Sequence, residues 1–144
     1  MLRAAALALA LFATAPAWAT EIPYTPSAFQ AAQAQDAPIL VWVHATWCPT
    51  CKAQAPTLAA LEAEPAYRDL RVFMVDFDSQ KDVVRPMGVQ MQSTLIAYHG
   101  TKEMARSAGQ TDPAVIRAVV AQTVVAQTGG AKTGGAQPET KTGG

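Results

Sequence analysis

The sequence predicts a single α/β domain, and three features of the chain support this interpretation. Apolar runs that suit strands alternate with helical patterns through the middle of the chain. The run 39–43 is apolar at every position, which is typical of a strand buried on both faces of a parallel sheet. The 144 residues suffice for one domain with a substantial core and for little more.

Local signals bound the individual elements. Thr25-Pro26-Ser27 opens an alanine-rich helix, and Asp112-Pro113 provides a capping carboxylate and a first-turn proline for the last helix. His99-Gly100 is predicted to be the turn of a hairpin. The predicted elements are a helix at about 25–35, a strand at 39–43, a helix from 48 to about 65, a strand at 71–77, a helix at about 79–87, strands at 94–98 and 102–107, and a helix from 112.

The two ends of the chain differ in composition from the middle. The first 19 residues combine Arg3 with a short apolar run and end in Ala17-Trp18-Ala19, a pattern typical of a cleaved secretory signal peptide. We therefore expect a periplasmic protein, in a compartment where disulfides persist. Segment 127–144 repeats Thr-Gly-Gly, offers little apolar surface to bury and is predicted to be disordered. The domain is then expected at 20–126.

Charge and motif content argue against several classes of partner. Lys plus Arg and Asp plus Glu number 11 each, so the balanced charge gives no indication of nucleic acid or of an acidic membrane surface. The GGAKT segment of the tail is not preceded by a strand and has no glycine next to its lysine, so it does not predict a nucleotide site.

The two cysteines of the chain, Cys48 and Cys51, are separated by two residues at the start of a predicted helix. A disulfide across so short a loop removes only about 2 kcal/mol of unfolded-state entropy, which makes a structural staple a poor explanation. A zinc site would also need His44 and His99, whose order and spacing match no common zinc signature. Helix amides and the helix dipole stabilise a thiolate at the first cysteine, which favours redox chemistry.

Trp47, the motif Cys48-Pro49-Thr50-Cys51 and the later Pro56 together resemble the active-site segment of the thioredoxin family. The resemblance extends over about 38–125. It implies a thioredoxin fold, with a central mixed sheet of four to five strands flanked by helices. It also implies a monomeric thiol-disulfide oxidoreductase that needs no cofactor or metal and exchanges disulfides with dithiol or disulfide groups of protein partners.

The resemblance also assigns roles within the motif. Cys48 is the attacking thiolate and is expected to be the more exposed thiol, and Cys51 is the resolving thiol that releases the mixed disulfide. Because Pro49 has no amide hydrogen, the amides of Thr50 and Cys51 are the expected donors to the Cys48 sulfur. Trp47 is expected to offer apolar surface to a partner.

A second segment of the chain is expected to bind the substrate. Gln92 and Thr94 occupy the loop that contacts the backbone of the bound substrate in the family. Between them, Ser93 stands where the family has a proline with a cis peptide bond. A cis bond before a residue other than proline costs about 2.5–4 kcal/mol, so we expect a trans bond here. The Ser93 amide and hydroxyl are expected to reach toward the Cys48 sulfur or a bound peptide.

Trp42 marks another departure, because many thioredoxins bury an acid at this position to handle the proton of the second cysteine. His44 lies two residues further along the same face of the strand. It either takes over this proton transfer or simply ends the strand in contact with solvent.

The direction of electron flow stays open at this point. Because the domain has no inserted substrate-binding segment, we favour a periplasmic reductase or electron carrier that is recharged by a membrane-bound partner. The alternative is a metal-binding protein that holds copper(I) or an iron–sulfur cluster through Cys48 and Cys51, next to Ser93.

Overall fold

Five strands form one mixed sheet in the computed structural model, which describes residues 21–125. The spatial order is β1-β3-β2-β4-β5, with parallel pairing among the first three strands and antiparallel pairing of β4 with β2 and with β5. This confirms the predicted thioredoxin fold. The strands are β1 (Glu21–Pro23), β2 (Pro38–His44), β3 (Arg71–Asp76), β4 (Thr94–His99) and β5 (Lys102–Ala108).

Four α-helices flank the sheet within the described residues: α1 (Pro26–Ala34), α2 (Pro49–Glu62), α3 (Lys81–Val84) and α4 (Pro113–Ala121). Oxygen atoms of side chains cap the starts of α1 and α4. The Thr25 hydroxyl accepts a hydrogen bond from the Ala28 amide at 3.2 Å, and the Asp112 carboxylate accepts one from the Ala114 amide at 2.8 Å. Short 3₁₀ turns, Pro65–Tyr67 and Gln122–Val124, follow α2 and α4.

Two elements differ from the sequence prediction. Strand β1 was not predicted, because three residues are too few to show an alternating pattern; it forms by pairing Ile22 with Phe73 of β3. Helix α3 ends at Val84 instead of continuing to about Met87. Pro86 accounts for this early end, since proline has no amide hydrogen with which to extend the helical ladder. The predicted signal peptide and the predicted disordered tail lie outside the described residues.

Strand β2 lies at the centre of the sheet and is buried from Ile39 to Val43. Leu40 and Trp42 pack into one cluster with residues of α2 and α4, whereas Ile39, Val41 and Val43 pack into another with residues of α1 and α3. The unbroken apolar run therefore has the cause that the sequence predicted: helices cover both faces of the strand.

Three chain segments meet at the carboxyl end of β2. His44 pairs with Asp76 at the end of β3, and Val43 pairs with Thr94 at the start of β4. The chain then runs from β2 into α2 through residues 45–48, so the cysteine motif lies beside the loop that precedes β4. No helix within residues 21–125 has the length and apolar character needed to cross a membrane.

Replacing Ile116 with alanine should lower the free energy of unfolding by about 2–5 kcal/mol, because its side chain is fully buried against the sheet. The matched control is Val115→Ala on the same helix, where the side chain is 38% exposed and the expected change is within about 0.5 kcal/mol. Urea unfolding of the reduced proteins measures both values. Equal losses in the two variants would contradict the assignment of the buried face of α4.

Candidate active site

Cys48 is the residue that caps the amino terminus of α2. Its backbone is extended, with φ −75° and ψ 113°, and its sulfur accepts a hydrogen bond from the Cys51 amide at 3.1 Å. Of the two amides predicted to donate, Thr50 and Cys51, it is that of Cys51 that makes the bond. Pro49 occupies the first helical position, where its missing amide hydrogen costs nothing. The start of α2 thus directs a backbone amide at the attacking sulfur.

Both cysteines are free thiols and both are buried, with 1% of Cys48 and 3% of Cys51 exposed. The expectation that Cys48 is the more exposed thiol is therefore wrong for the dithiol form. The physical reason is the cap itself: to accept the amide of α2, the Cys48 side chain turns inward, into the apolar cluster that also holds Cys51.

The pKa of Cys51 is raised to about 11, chiefly by burial and next by its hydrogen bond with Cys48. Backbone hydrogen bonds from Ala45 and Ser93 act in the opposite direction and lower this pKa. Cys51 is therefore a protonated thiol at neutral pH, as a resolving cysteine should be before the mixed disulfide forms.

Ser93 has the predicted trans peptide bond, since the described residues contain no cis bond. Its φ is +58°, in the left-handed region that non-glycine residues rarely adopt, and the residue is 1% exposed. The hydroxyl donates to the carbonyl oxygen of Gln92, and the amide faces Cys51. The first alternative, in which these two groups reach the Cys48 sulfur, is thus wrong, because the left-handed backbone turns the amide toward the second cysteine. Their contact with a bound peptide stays a prediction.

Gln54 is a functional candidate that the sequence reasoning missed. It is fully buried on α2, one turn after Cys51. Its side-chain oxygen accepts a hydrogen bond from the Trp42 indole at 2.9 Å, and its nitrogen donates to the carbonyl oxygens of Ser93 at 3.0 Å and Gln110 at 2.8 Å. The only sequence signal was a polar residue three positions after Cys51, on the helix face that points to the core.

Two large apolar side chains of the motif and of the predicted substrate loop are exposed: Trp47, directly before Cys48, at 57%, and Met91, in the loop before β4, at 42%. The Trp47 indole donates to the Asp78 carboxylate at 2.7 Å, which fixes the ring to the turn after β3. The Thr94 hydroxyl is buried and donates to the Met91 carbonyl oxygen at 2.8 Å, within the predicted substrate loop. Contact of Gln92 and Thr94 with a substrate stays a prediction.

Comparison with known proteins identifies the family. The family model named Thioredoxin matches residues 21–122. The chain belongs to the thioredoxin family. Thioredoxin-1 of Saccharomyces cerevisiae is 32% identical over 97 residues, which cover 67% of this chain and 92% of the yeast protein. Thioredoxin of Chlamydia muridarum is 36% identical over 74 residues, which cover 51% of this chain and 71% of that protein.

A similar fold is found in solved structures. The crystal structure of Trxlp from Edwardsiella tarda EIB202 superposes with a TM-score of 0.68 at 48% identity, covering 70% of this chain and 98% of that one. Together with the two neighbouring thiols, family membership makes the chain a thiol-disulfide oxidoreductase that acts on protein disulfides.

His44 is half-buried, and its ring centroid lies 5.3 Å from that of Trp42. It also helps, as the smallest of several contributions, to lower the pKa of Asp76 at the end of β3. The groups that set the pKa of Cys51 within the described residues are its burial, Cys48, and the backbones of Ala45 and Ser93, and His44 is not one of them. This packing favours the second alternative, in which His44 ends the strand.

The metal-binding alternative gains no support from the site. Within residues 21–125, no group of three or more His, Cys, Asp or Glu side chains is arranged to hold a metal ion. His99 lies at the far end of β4, where its Nδ1 is hydrogen-bonded to the Thr123 carbonyl oxygen at 2.7 Å.

Alkylation of the reduced protein with iodoacetamide at pH 7 should label Cys48 before Cys51. The amide of α2 stabilises the Cys48 thiolate, whereas a pKa of about 11 keeps Cys51 protonated. Labelling of Cys51 in the Cys48→Ser variant should rise steeply as the pH increases from 8 to 10. Peptide mapping by mass spectrometry identifies the labelled residue, and faster labelling of Cys51 at pH 7 would refute these roles.

Replacing His44 with alanine should leave the pH dependence of disulfide exchange between pH 6 and 8 unchanged, because the ring packs on Trp42 and does not influence Cys51. The exchange rate is measured in single-turnover reactions across this range. A flattened profile in the variant would instead assign the resolving proton to His44.

Proposed function

We propose that the protein is a periplasmic reductase or electron carrier that passes electrons from Cys48 and Cys51 to protein disulfides. The observation that supports the direction is the burial of the dithiol. Burial raises the pKa of Cys51 and holds this thiol protonated, and the Cys51 amide donates to the Cys48 sulfur. Strong oxidants of this class instead owe their high potential to a stabilised reduced form. A dithiol whose second thiol is buried and protonated lacks that stabilisation and gives up its electrons more readily.

The exchange proceeds in two balanced steps. The Cys48 thiolate attacks one sulfur of the partner disulfide, a mixed disulfide forms, and the other partner sulfur leaves with the electron pair and takes up a proton. Cys51 then loses its proton and attacks the Cys48 sulfur, so the internal disulfide forms and the second partner thiol is released. The net transfer is two electrons and two protons to the partner. A membrane-bound dithiol partner would return the protein to its reduced form.

The surface around the motif suits an extended partner segment. Trp47, directly before Cys48, and Met91, in the loop before β4, offer exposed apolar contact area. Because Cys48 is only 1% exposed, the partner must shift the flanking surface or the cap before attack. Specificity would then come from partners that fill this apolar surface.

Location outside the cytoplasm is proposed from the first 19 residues. Their sequence has the charged start, apolar run and small-residue cleavage site of a secretory signal. Expression of the full chain in a bacterial host should yield a periplasmic protein whose first residue is Thr20. Amino-terminal sequencing of the fractionated protein tests this, and an uncleaved cytoplasmic product would refute the location.

The direction of electron flow is tested by the reduction potential of the Cys48/Cys51 pair, equilibrated with thiol–disulfide buffers. We expect a value closer to about −270 mV than to about −120 mV, the potentials of a typical reductant and a strong oxidant of this class. The wild-type protein should also reduce a protein disulfide substrate with dithiothreitol as electron source, and the Cys48→Ser variant should not. A potential near the oxidant value would leave the exchange chemistry intact but reverse the proposed direction.

A further inference from the structure

The side chain of Gln54 makes three hydrogen bonds in the core beneath the dithiol. Its partners come from three separate parts of the fold: Trp42 in β2, Ser93 in the loop before β4, and Gln110 in the segment after β5. Gln54 itself is fully buried. One amide group therefore joins α2 to both segments that flank the cysteines.

The chemistry of the partners fixes the orientation of this amide. An indole N–H only donates, so it must meet the Gln54 oxygen, and backbone carbonyl groups only accept, so they must meet the nitrogen. Both amide hydrogens and one oxygen lone pair are thus engaged, at 2.8–3.0 Å. A rotated amide would place like groups against one another at all three contacts, which makes this arrangement the only satisfied one.

The loop at Ser93 needs such a restraint. The residue has a left-handed backbone at φ +58°, which a side chain disfavours, and it lacks the rigid ring that proline supplies. Its carbonyl oxygen is held by the Gln54 side chain and by the Gly109 amide, each at 3.0 Å. With its carbonyl fixed on one side, the amide of the same residue faces the sulfur of Cys51 on the other.

Among residues 21–125, no carboxyl or imidazole group contributes to the pKa of Cys51, whose proton the resolving step must remove. The inward position on β2 where an acid would stand is filled by Trp42, whose indole is bonded to Gln54. Among the described residues, the groups that favour the Cys51 thiolate are the backbones of Ala45 and Ser93. Backbone donors are the means that this site retains for stabilising negative charge on Cys51.

We propose that Gln54 is a positioning residue for the resolving step, which holds Ser93 so that its backbone amide stabilises the thiolate forming on Cys51. In that step the S–H bond of Cys51 breaks, its proton passes to water, the new S–S bond to Cys48 forms, and the partner sulfur leaves and takes up a proton. The proposal rests on disulfide exchange by the two cysteines and is independent of the direction of electron flow.

The test separates attack by Cys48 from resolution by Cys51. Reduced protein is mixed with one equivalent of 5,5′-dithiobis(2-nitrobenzoate) in a stopped-flow instrument, and the coloured thiolate is released once on attack and once on resolution. Gln54→Met keeps the length of the side chain but removes all three hydrogen bonds. Resolution should slow about tenfold at pH 7, the effect of losing one hydrogen bond to a charged group, while attack changes less than about twofold. The pH at which the rate of resolution is half-maximal should rise by about one unit.

Gln54→Glu is the second variant. Its carboxylate still accepts from Trp42, but it has no hydrogen for the Ser93 and Gln110 carbonyl oxygens until it is protonated. Relative to wild type, resolution should therefore be more impaired at pH 8 than at pH 5.5. The relative rate of resolution in Gln54→Glu, compared between pH 8 and pH 5.5, keeps the proposal testable if Gln54→Met does not fold.

Thr123→Val is the matched control. Thr123 is also a fully buried polar residue, and its hydroxyl donates to the Val120 carbonyl oxygen at 2.7 Å, at the end of the sheet away from the cysteines. Its loss should lower stability without moving the pH profile of resolution. Equal slowing of both phases, or an unchanged pH profile, in Gln54→Met would overturn the proposal. A wild-type protein without a second phase would instead refute the oxidoreductase activity.

Discussion

The burial of β2 between two layers of helices is the constraint on which the rest of the structure depends. Because both faces of the strand are covered, every side chain from Ile39 to Val43 must suit a dry interior. Trp42 meets this condition only with a partner for its indole N–H, and Gln54 supplies it. This requirement accounts for the buried glutamine beneath the two cysteines. The other two hydrogen bonds of Gln54 hold the loops at Ser93 and Gln110.

The turn after β3 supports the partner-facing side of the site. The Asp76 carboxylate accepts hydrogen bonds from the backbone amides of Asp78 and Ser79 and from the Ser79 hydroxyl. This compact turn holds the Asp78 carboxylate where the Trp47 indole donates to it. An exposed tryptophan is thereby kept in one orientation, which reduces the side-chain entropy lost when a partner binds.

The sequence was sufficient for the central strand and for the place of the cysteine motif at the start of α2, because these follow from local patterns of a few residues. It was insufficient for β1, whose three residues pair through backbone groups alone. It was also insufficient for Gln54, since the value of a buried amide depends on Trp42, Ser93 and Gln110, which are distant in sequence. The inward orientation of the Cys48 side chain could not be predicted from the sequence either, because it arises from the geometry of a helix cap.

Gln54 is uncharged at every pH, so the polar side chain buried beneath the cysteines does not titrate. A carboxylic acid buried in this place would have a raised pKa, so the folded state would hold its proton more tightly than the unfolded chain. The stability of the folded protein would then fall as the pH rose above the ordinary pKa of the acid. An amide carries no such proton, so Gln54 joins the three segments with the same strength in acidic and alkaline surroundings. The three hydrogen bonds that Gln54 makes beneath the dithiol are therefore independent of the acidity of the medium.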